Sequence, residues 1–232
     1  TMFDALLLAT LIIGGTALLS LPLGRYMAHA MDPKAATAPT GWFERIGGSG
    51  ARGDQSWQRY LFAMLAFNLA MFLIVFAILA LQQWLPFNPD AKGALDPSMI
   101  FNTAASFTTN TNLQHYSGEV SLSYFSQLGG LMWLQFVSAA TGIAALVALA
   151  RGLAGRPFGN FFVDVQRAAF LVLLPLAIVL ALLLVIGDVP MTFAGAAHAT
   201  TLEGVAQTIA RGPVAAFVAI KQLGTNGGGL FG

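Results

Sequence analysis

Two stretches of this sequence combine hydroxyl, amide and glycine residues in a pattern suited to holding a small cation: Thr108-Thr109-Asn110-Thr111-Asn112 and Gly224-Thr225-Asn226-Gly227-Gly228-Gly229. Glycine reaches backbone dihedrals closed to other residues, so successive carbonyls can turn toward a common axis. Thr and Asn add hydroxyl and amide oxygens, or brace the strand from behind. Carbonyl dipoles in such an array replace the hydration shell of an alkali ion. A divalent site would draw on carboxylates, and neither loop core contains one. A monovalent cation fits best, with potassium ahead of sodium.

A short helix is expected before each loop. Asp96 reads as an N-cap with Pro97 at the first helical position, and apolar or small residues follow through Phe107. Gly212-Pro213 opens a second short helix over 214–223. About ten residues cannot cross a bilayer, so a short apolar helix running into a polar turn predicts a re-entrant pore loop. Irregular backbone at membrane depth is tolerated only when enclosed by protein or lining a water-filled path. Thr109-Asn110-Thr111-Asn112 aligns on Thr225-Asn226-Gly227-Gly228, and the preceding helices align with them. The organisation expected is therefore an extra transmembrane helix at 1–24, a cytoplasmic loop at 25–58, and a helix, pore loop, helix unit at 59–150. A second unit, ending after its pore loop, occupies 151–232.

Composition says what carries these loops. Of 232 residues, 9% are charged and 56% hydrophobic, against about 25% charged in a soluble domain, and mean hydropathy is +0.72. Segments 5–24, 60–81, 124–150 and 168–187 carry no charge. Each meets the roughly 20 residues a helix needs to cross about 30 Å of hydrocarbon. Core helices of a soluble protein would need charged outer faces, which these runs lack. The first run is read as a span and not as a cleaved signal, because no basic residue precedes it and Arg25 follows it. The fold class expected is an all-α integral membrane protein with re-entrant selectivity-filter loops. A net charge of +1 argues against nucleic-acid partners, and the absence of cysteine excludes disulfides and thiol chemistry.

Arg25, Lys34, Arg45, Arg52, Arg59, Arg151, Arg156 and Arg167 fall on one side of the four spans, eight of the 11 basic residues. The positive-inside rule makes that side cytoplasmic and puts the amino terminus and the loop-bearing connectors outside. Trp42 and Trp57 are expected at headgroup level in a partly ordered linker, the alternative being a docking surface for another subunit.

The strings Asn102-Thr103-Ala104, Ser106-Phe107, Thr109-Asn110-Thr111-Asn112, Tyr116-Ser117-Gly118-Glu119, Ser123-Tyr124-Phe125-Ser126-Gln127, Ser138-Ala139-Ala140 and Ile220-Lys221-Gln222-Leu223-Gly224-Thr225-Asn226-Gly227-Gly228-Gly229 closely resemble the KdpA family. So do Trp57-Gln58-Arg59-Tyr60-Leu61 and Leu85-Pro86-Phe87-Asn88-Pro89, in the same order along the chain. The resemblance implies four helix, pore loop, helix repeats around a pore, with one further helix at each end. It implies ATP-driven, high-affinity potassium uptake in a prokaryotic plasma (inner) membrane. ATP hydrolysis would lie in a P-type ATPase partner, KdpB, with the small subunits KdpC and KdpF completing the complex. This chain has neither a P-type phosphorylation motif nor a phosphate-binding loop, so it is expected to be a non-catalytic transport subunit that binds no nucleotide. Potassium is its transported ion. Thr109, Asn110, Thr111 and Asn112 would coordinate it in the first loop, and Gly224, Thr225, Asn226, Gly227 and Gly228 in the second. Leu113 replaces the Trp that follows the first loop in a relative, and Leu230-Phe231-Gly232 stands where that relative has Phe-Phe-Asn. A full member would be about twice as long, so this chain is expected to supply two of four pore walls. The rival readings are a channel-like or ion-coupled potassium or sodium transporter, and a non-transporting membrane scaffold.

Other polar positions take plainer readings. Asn68, Gln127 and Gln135 are expected to hydrogen-bond neighbouring helices rather than line the ion path. Pro175 is expected to kink the fourth span. Gly129-Gly130 and the segment from Ser138 to Gly142 read as close helix packing. Lys221 must pair with a carboxylate or face water, with Glu119 and Asp96 as partners to test. His29, His115 and His198 are too scattered to share a metal. Asp164 and Arg167 are spaced as a helix-surface pair, or face KdpB.

Overall fold

The computed structural model describes residues 2–32, 53–227 and 229–231. Two helices come first, α1 (Met2–Ala30) and α2 (Trp57–Ala80). After a single 3-10 turn at Gln82–Trp84 comes the short helix α3 (Pro97–Thr108), then the one-turn α4 (Gly118–Ser121). The helix α5 (Ser126–Leu153) and the helix α6 (Phe161–Ile186) follow. A two-stranded antiparallel hairpin, β1 (Ala197–Thr200) and β2 (Ala206–Ile209), precedes the final short helix α7 (Val214–Leu223). Helices α1, α2, α5 and α6 are each long and apolar enough to cross a membrane.

The helix ends follow from their caps. Ser56 caps α2 by accepting from the Arg59 N–H, and Asn160 caps α6 by accepting from Phe162 N–H at 3.0 Å. Asp96 accepts from Ser98 N–H at 2.8 Å, with Pro97 at the position where a missing N–H costs nothing. Helix α1 continues past Arg25 to Ala30 and α2 already begins at Trp57, so helix occupies both ends of the segment read as a loop. Trp42 lies outside the described residues.

Two apolar clusters hold the helices together. One joins Ala30, Met31, Tyr60, Ala63, Ala140, Ala144, Phe161 and Val165, at the end of the bundle that carries the arginines. The other joins Val75, Leu79, Ile100, Ala104, Phe107, Leu131, Leu134, Phe217 and Leu230, and packs both short helices against α2 and α5. The outward faces stay apolar: Phe62 is 74% exposed and Ile186 79%. Such surface is compatible with hydrocarbon and not with water.

At the arginine-rich end the polar groups pair within the protein. Arg151 grips Asp164 through both carboxylate oxygens, at 2.7 and 3.0 Å, and donates to Met31 O at 3.1 Å. Asp164 therefore pairs across helices with Arg151. Arg167 donates to Ala30 O at 2.9 Å and Asp32 O at 2.5 Å, closing the end of α1. The distortion near Pro175 is a π-helical stretch at Ala168–Leu173, just before the proline. Pro175 has no N–H for the Leu171 carbonyl, and the Tyr26 hydroxyl of α1 donates there.

Candidate functional site

The connector that carries α3 is built on a buried amide. Gln82, completely enclosed, donates to Gly93 O at 2.6 Å and Ser121 O at 3.0 Å. It accepts from Ser123 N–H at 3.2 Å and Ser126 Oγ at 3.1 Å. Tyr124 ties the second connector to the first through Ala194 O at 2.9 Å and Arg211 O at 2.5 Å. These contacts fix where α3 and α7 start, and hence where their carboxyl ends point.

Both short helices end the same way. Asn110 N–H reaches back to Phe107 O at 3.4 Å and Thr111 N–H to Ser106 O at 2.9 Å. Thr225 N–H reaches Gln222 O and Asn226 N–H reaches Lys221 O, both at 3.3 Å. This is a Schellman turn, and it requires a left-handed residue just past the cap. Asn110 (φ 60°) and Thr225 (φ 58°) occupy that place. The backbone therefore superposes Thr109 on Gly224, one residue away from the pairing that the side-chain letters suggest. After each turn the left-handed residues alternate: Asn110 and Asn112 in the first loop, Thr225 and Gly227 in the second. Alternating handedness gathers N–H groups on one side of a strand and carbonyls on the other.

Ser106 shows which side is which. Thr111 and Asn112 N–H both donate to its carbonyl, at 2.9 and 3.2 Å, and Leu113 N–H donates to its hydroxyl at 2.9 Å. No cis peptide is present among the described residues. In a trans peptide the carbonyl lies opposite the N–H. The carbonyls of Asn110, Thr111 and Asn112 consequently point away from α3.

The loops also meet. Asn226 donates its amide to the Asn110 side-chain oxygen, 116 residues away, and to Ser138 Oγ at 3.2 Å. Ser138, on α5, lies 3.0 Å from the same Asn110 oxygen. The amides of Asn110 and Asn226 are thus engaged with each other. A Cβ on Gly224 would collide with the Asn226 side-chain oxygen, so glycine is required for that side chain to fold back. The returning strands lie equally close: a Cβ on Gly118 would stand 2.7 Å from Leu230 O. Gln114 accepts from Gly229 N–H at 2.6 Å. Thr109, Thr111, Thr225 and Gly227 remain exposed, while Asn112, Gly224 and Asn226 are buried. Gly228 lies outside the described residues.

Asn112, Gln114, His115, Tyr116, Lys221 and Gly229 contribute to the lining of a vestibule of about 530 Å³. Both amide atoms of Asn112 are buried there without a hydrogen bond among the described residues. The Lys221 ammonium lies over Gly229, and the Asp96 carboxylate is taken up by Ser98. Asn68 bonds Met64 O within its own helix at 2.8 Å, and Gln127 bonds Gly118 O at 3.1 Å. Gly130 packs on Val75. No group of three His, Cys, Asp or Glu able to hold a metal occurs among the described residues. Sequence reading passed over Ser106, Gln114 and Gln82 and took Ser138 for packing. No spacing rule marks a serine that collects loop amides.

The sequence model of the family described as KdpA, potassium-transporting ATPase A subunit, matches residues 10–232. This chain belongs to the KdpA family. It is 57% identical over 191 residues to the potassium-transporting ATPase potassium-binding subunit of Pseudomonas entomophila, covering 81% of this chain and 34% of that protein. It is 51% identical to the protein of that description from Pseudomonas putida, over 98% of this chain and 42% of the relative. The corresponding protein of Mesorhizobium japonicum is 50% identical, over 94% and 40% respectively. The chain thus spans about two fifths of the length of these curated relatives.

Proposed function

We propose that this chain contributes the first two pore loops of the potassium-binding and translocating subunit of an ATP-driven potassium import complex. Dehydrated potassium is held by main-chain oxygens of Thr109 to Asn112 and of Gly224 to Gly228, with the Thr109, Thr111 and Thr225 hydroxyls beside them. The observation that carries this reading is the convergence of three consecutive N–H groups on Ser106, which turns the carbonyls of Asn110, Thr111 and Asn112 the other way. The buried, unpartnered amide of Asn112 supports it. An orphaned polar group of this kind costs about 1–3 kcal/mol.

The loops dip into the membrane from the outer face, and the arginine-rich end is cytoplasmic, as the distribution of basic residues implies. Segments 1–24, 59–150 and 151–232 are an extra helix and two repeat units, and segment 25–58, helical at both ends, is cytoplasmic. ATP hydrolysis belongs to KdpB, with KdpC and KdpF as further subunits; this chain binds no nucleotide. The deciding experiment is growth at limiting potassium with Gly227→Asp or Gly228→Asp in the full-length subunit. Either carboxylate side chain enters the ion path and misdirects the carbonyls, so growth is lost. Unchanged growth would instead support a scaffold role. Copurification of a P-type ATPase with the full-length subunit separates the pump from a channel-like transporter.

A further inference from the structure

The two loops could be held apart by their own helices alone, yet a third element reaches both. Ser138 stands on α5, 5% exposed, with its hydroxyl oxygen 2.7 Å from Leu134 O, 3.0 Å from the Asn110 amide oxygen and 3.2 Å from the Asn226 amide nitrogen. A serine hydroxyl has one proton to give and lone pairs to accept with. Asn226 has two N–H protons, of which one goes to Asn110 and the other to Ser138. The single Ser138 proton then goes either to its own helix or to Asn110. With the proton on Asn110 the hydroxyl and the two loop amides form a closed triangle; with it on Leu134 O, Ser138 still accepts from Asn226. Buried hydrogen-bond networks rigidify what they join, and here the Asn226 side-chain oxygen is the member left without a hydrogen bond among the described residues.

We propose that Ser138 is a positioning residue for ion selection: it locks Asn110 to Asn226 and so sets the separation of the two loops. The proposal rests on the ion-coordinating role argued above for these loops. An ion smaller than the fitted one is held well only if the loops move together, and the triangle resists that movement. Ser138 itself contributes no oxygen to the ion. Its effect passes through the αL residue Asn110, whose dihedrals orient the first carbonyl of the array, and through Asn226, which follows the αL residue Thr225.

The test uses the full-length subunit in its assembled complex, reading ATPase activity against potassium, rubidium and sodium. Ser138→Ala removes the hydroxyl while keeping a residue that favours helix, and thermal unfolding of the assembled complex checks that the variant is folded. Loss of one buried hydrogen-bonding group predicts about a tenfold rise in the potassium concentration giving half-maximal activity. Preference for potassium over sodium and rubidium falls alongside it, and maximal activity stays near that of the parent. Ser138→Thr keeps the hydroxyl and restores both affinity and preference. If Ser138→Ala leaves affinity and ion preference unchanged while Gly227→Asp abolishes potassium dependence, the brace is wrong and the site stands. If Ser138→Thr behaves as Ser138→Ala does, packing rather than the hydroxyl is responsible, and the proposal is overturned. If Gly227→Asp also leaves potassium dependence intact, the site reading fails, and the brace with it.

Discussion

Thr225 carries a sharp local conflict. A β-branched residue at φ 58° is a true outlier, because its Cβ crowds the neighbouring carbonyl. Glycine would fit this place without strain, and strain of this kind costs about 1–3 kcal/mol where it is retained. Thr225→Gly should therefore stabilise the assembled complex by about 1 kcal/mol in thermal unfolding. The same change should weaken potassium affinity if, as proposed, the Thr225 hydroxyl lies beside the ion path. Higher affinity in the variant would contradict the role given to that hydroxyl. Gly118 presents the opposite case, a glycine required by space rather than dihedral. Its Cβ would meet the Leu230 carbonyl at 2.7 Å, and backbone cannot step aside as a side chain can. Gly118→Ala should lower the unfolding temperature of the complex measurably, and an unchanged temperature would show that the returning strands are not held together. Single residues of this kind were partly legible in sequence. Gly118 and Ser106 sit inside the recognisable strings, but nothing in the letters says that one makes room for a backbone and the other gathers three amides.

Helix α3 begins on an exposed carboxylate. Hydrogen bonds from Ser98, first from its hydroxyl and then from its N–H, hold the Asp96 carboxyl below the usual carboxylate range. A pKa lower in the folded than in the unfolded chain means that the cap's support is present above the ordinary carboxylate value. That support fades as pH falls through the depressed folded value. Asp96→Asn, which caps without a charge, should flatten this acid-side loss when unfolding is followed against pH. A steeper loss in the variant would contradict the assignment. The far end of the bundle depends on a different element contact. Arg151 and Asp164 are almost fully buried together, with side chains 12% and 1% exposed. Removing one member of such a pair strands the other, at a cost of about 3–5 kcal/mol. Arg151→Leu is expected to lower complex yield and thermal stability, and Asp164→Asn in the same background to recover part of the loss. The short helices were legible because their starts are written in caps and prolines: α7 spans 214–223, the range expected, and α3 runs one residue beyond Phe107. The Arg151–Asp164 pair was not, since the three-residue spacing of Asp164 and Arg167 favours a surface pair. Only packing of α5 against α6 and the end of α1 shows that each residue has a partner elsewhere.

Across the whole molecule, charge-free runs and turn residues specify four long apolar helices, with one short helix between the second and third and another after the fourth. They do not specify the hairpin of β1 and β2, whose four-residue strands are too brief to show a reliable period. Nor do they fix the relation of the loops. The letters align Asn110 with Asn226, and the structure makes that pair a contact, while the backbone turn repeats one residue out of step with the letters. Side-chain bracing and carbonyl orientation thus follow different registers of one repeat, a distinction available only once the hydrogen bonds are placed. The two loops are joined through Asn110, Asn226 and Ser138 and backed by Ser106, and the function proposed for them makes them one side of an ion path. The central claim is that this side presents main-chain oxygen to a bare potassium ion. A structure of the full-length subunit in rubidium, read by anomalous scattering, tests it most directly. Rubidium density in direct contact with the carbonyls of Asn110 to Asn112 and of the Gly224 to Gly228 strand is the predicted result. Density confined to other parts of the complex, with these carbonyls bonded only to protein, would contradict the account.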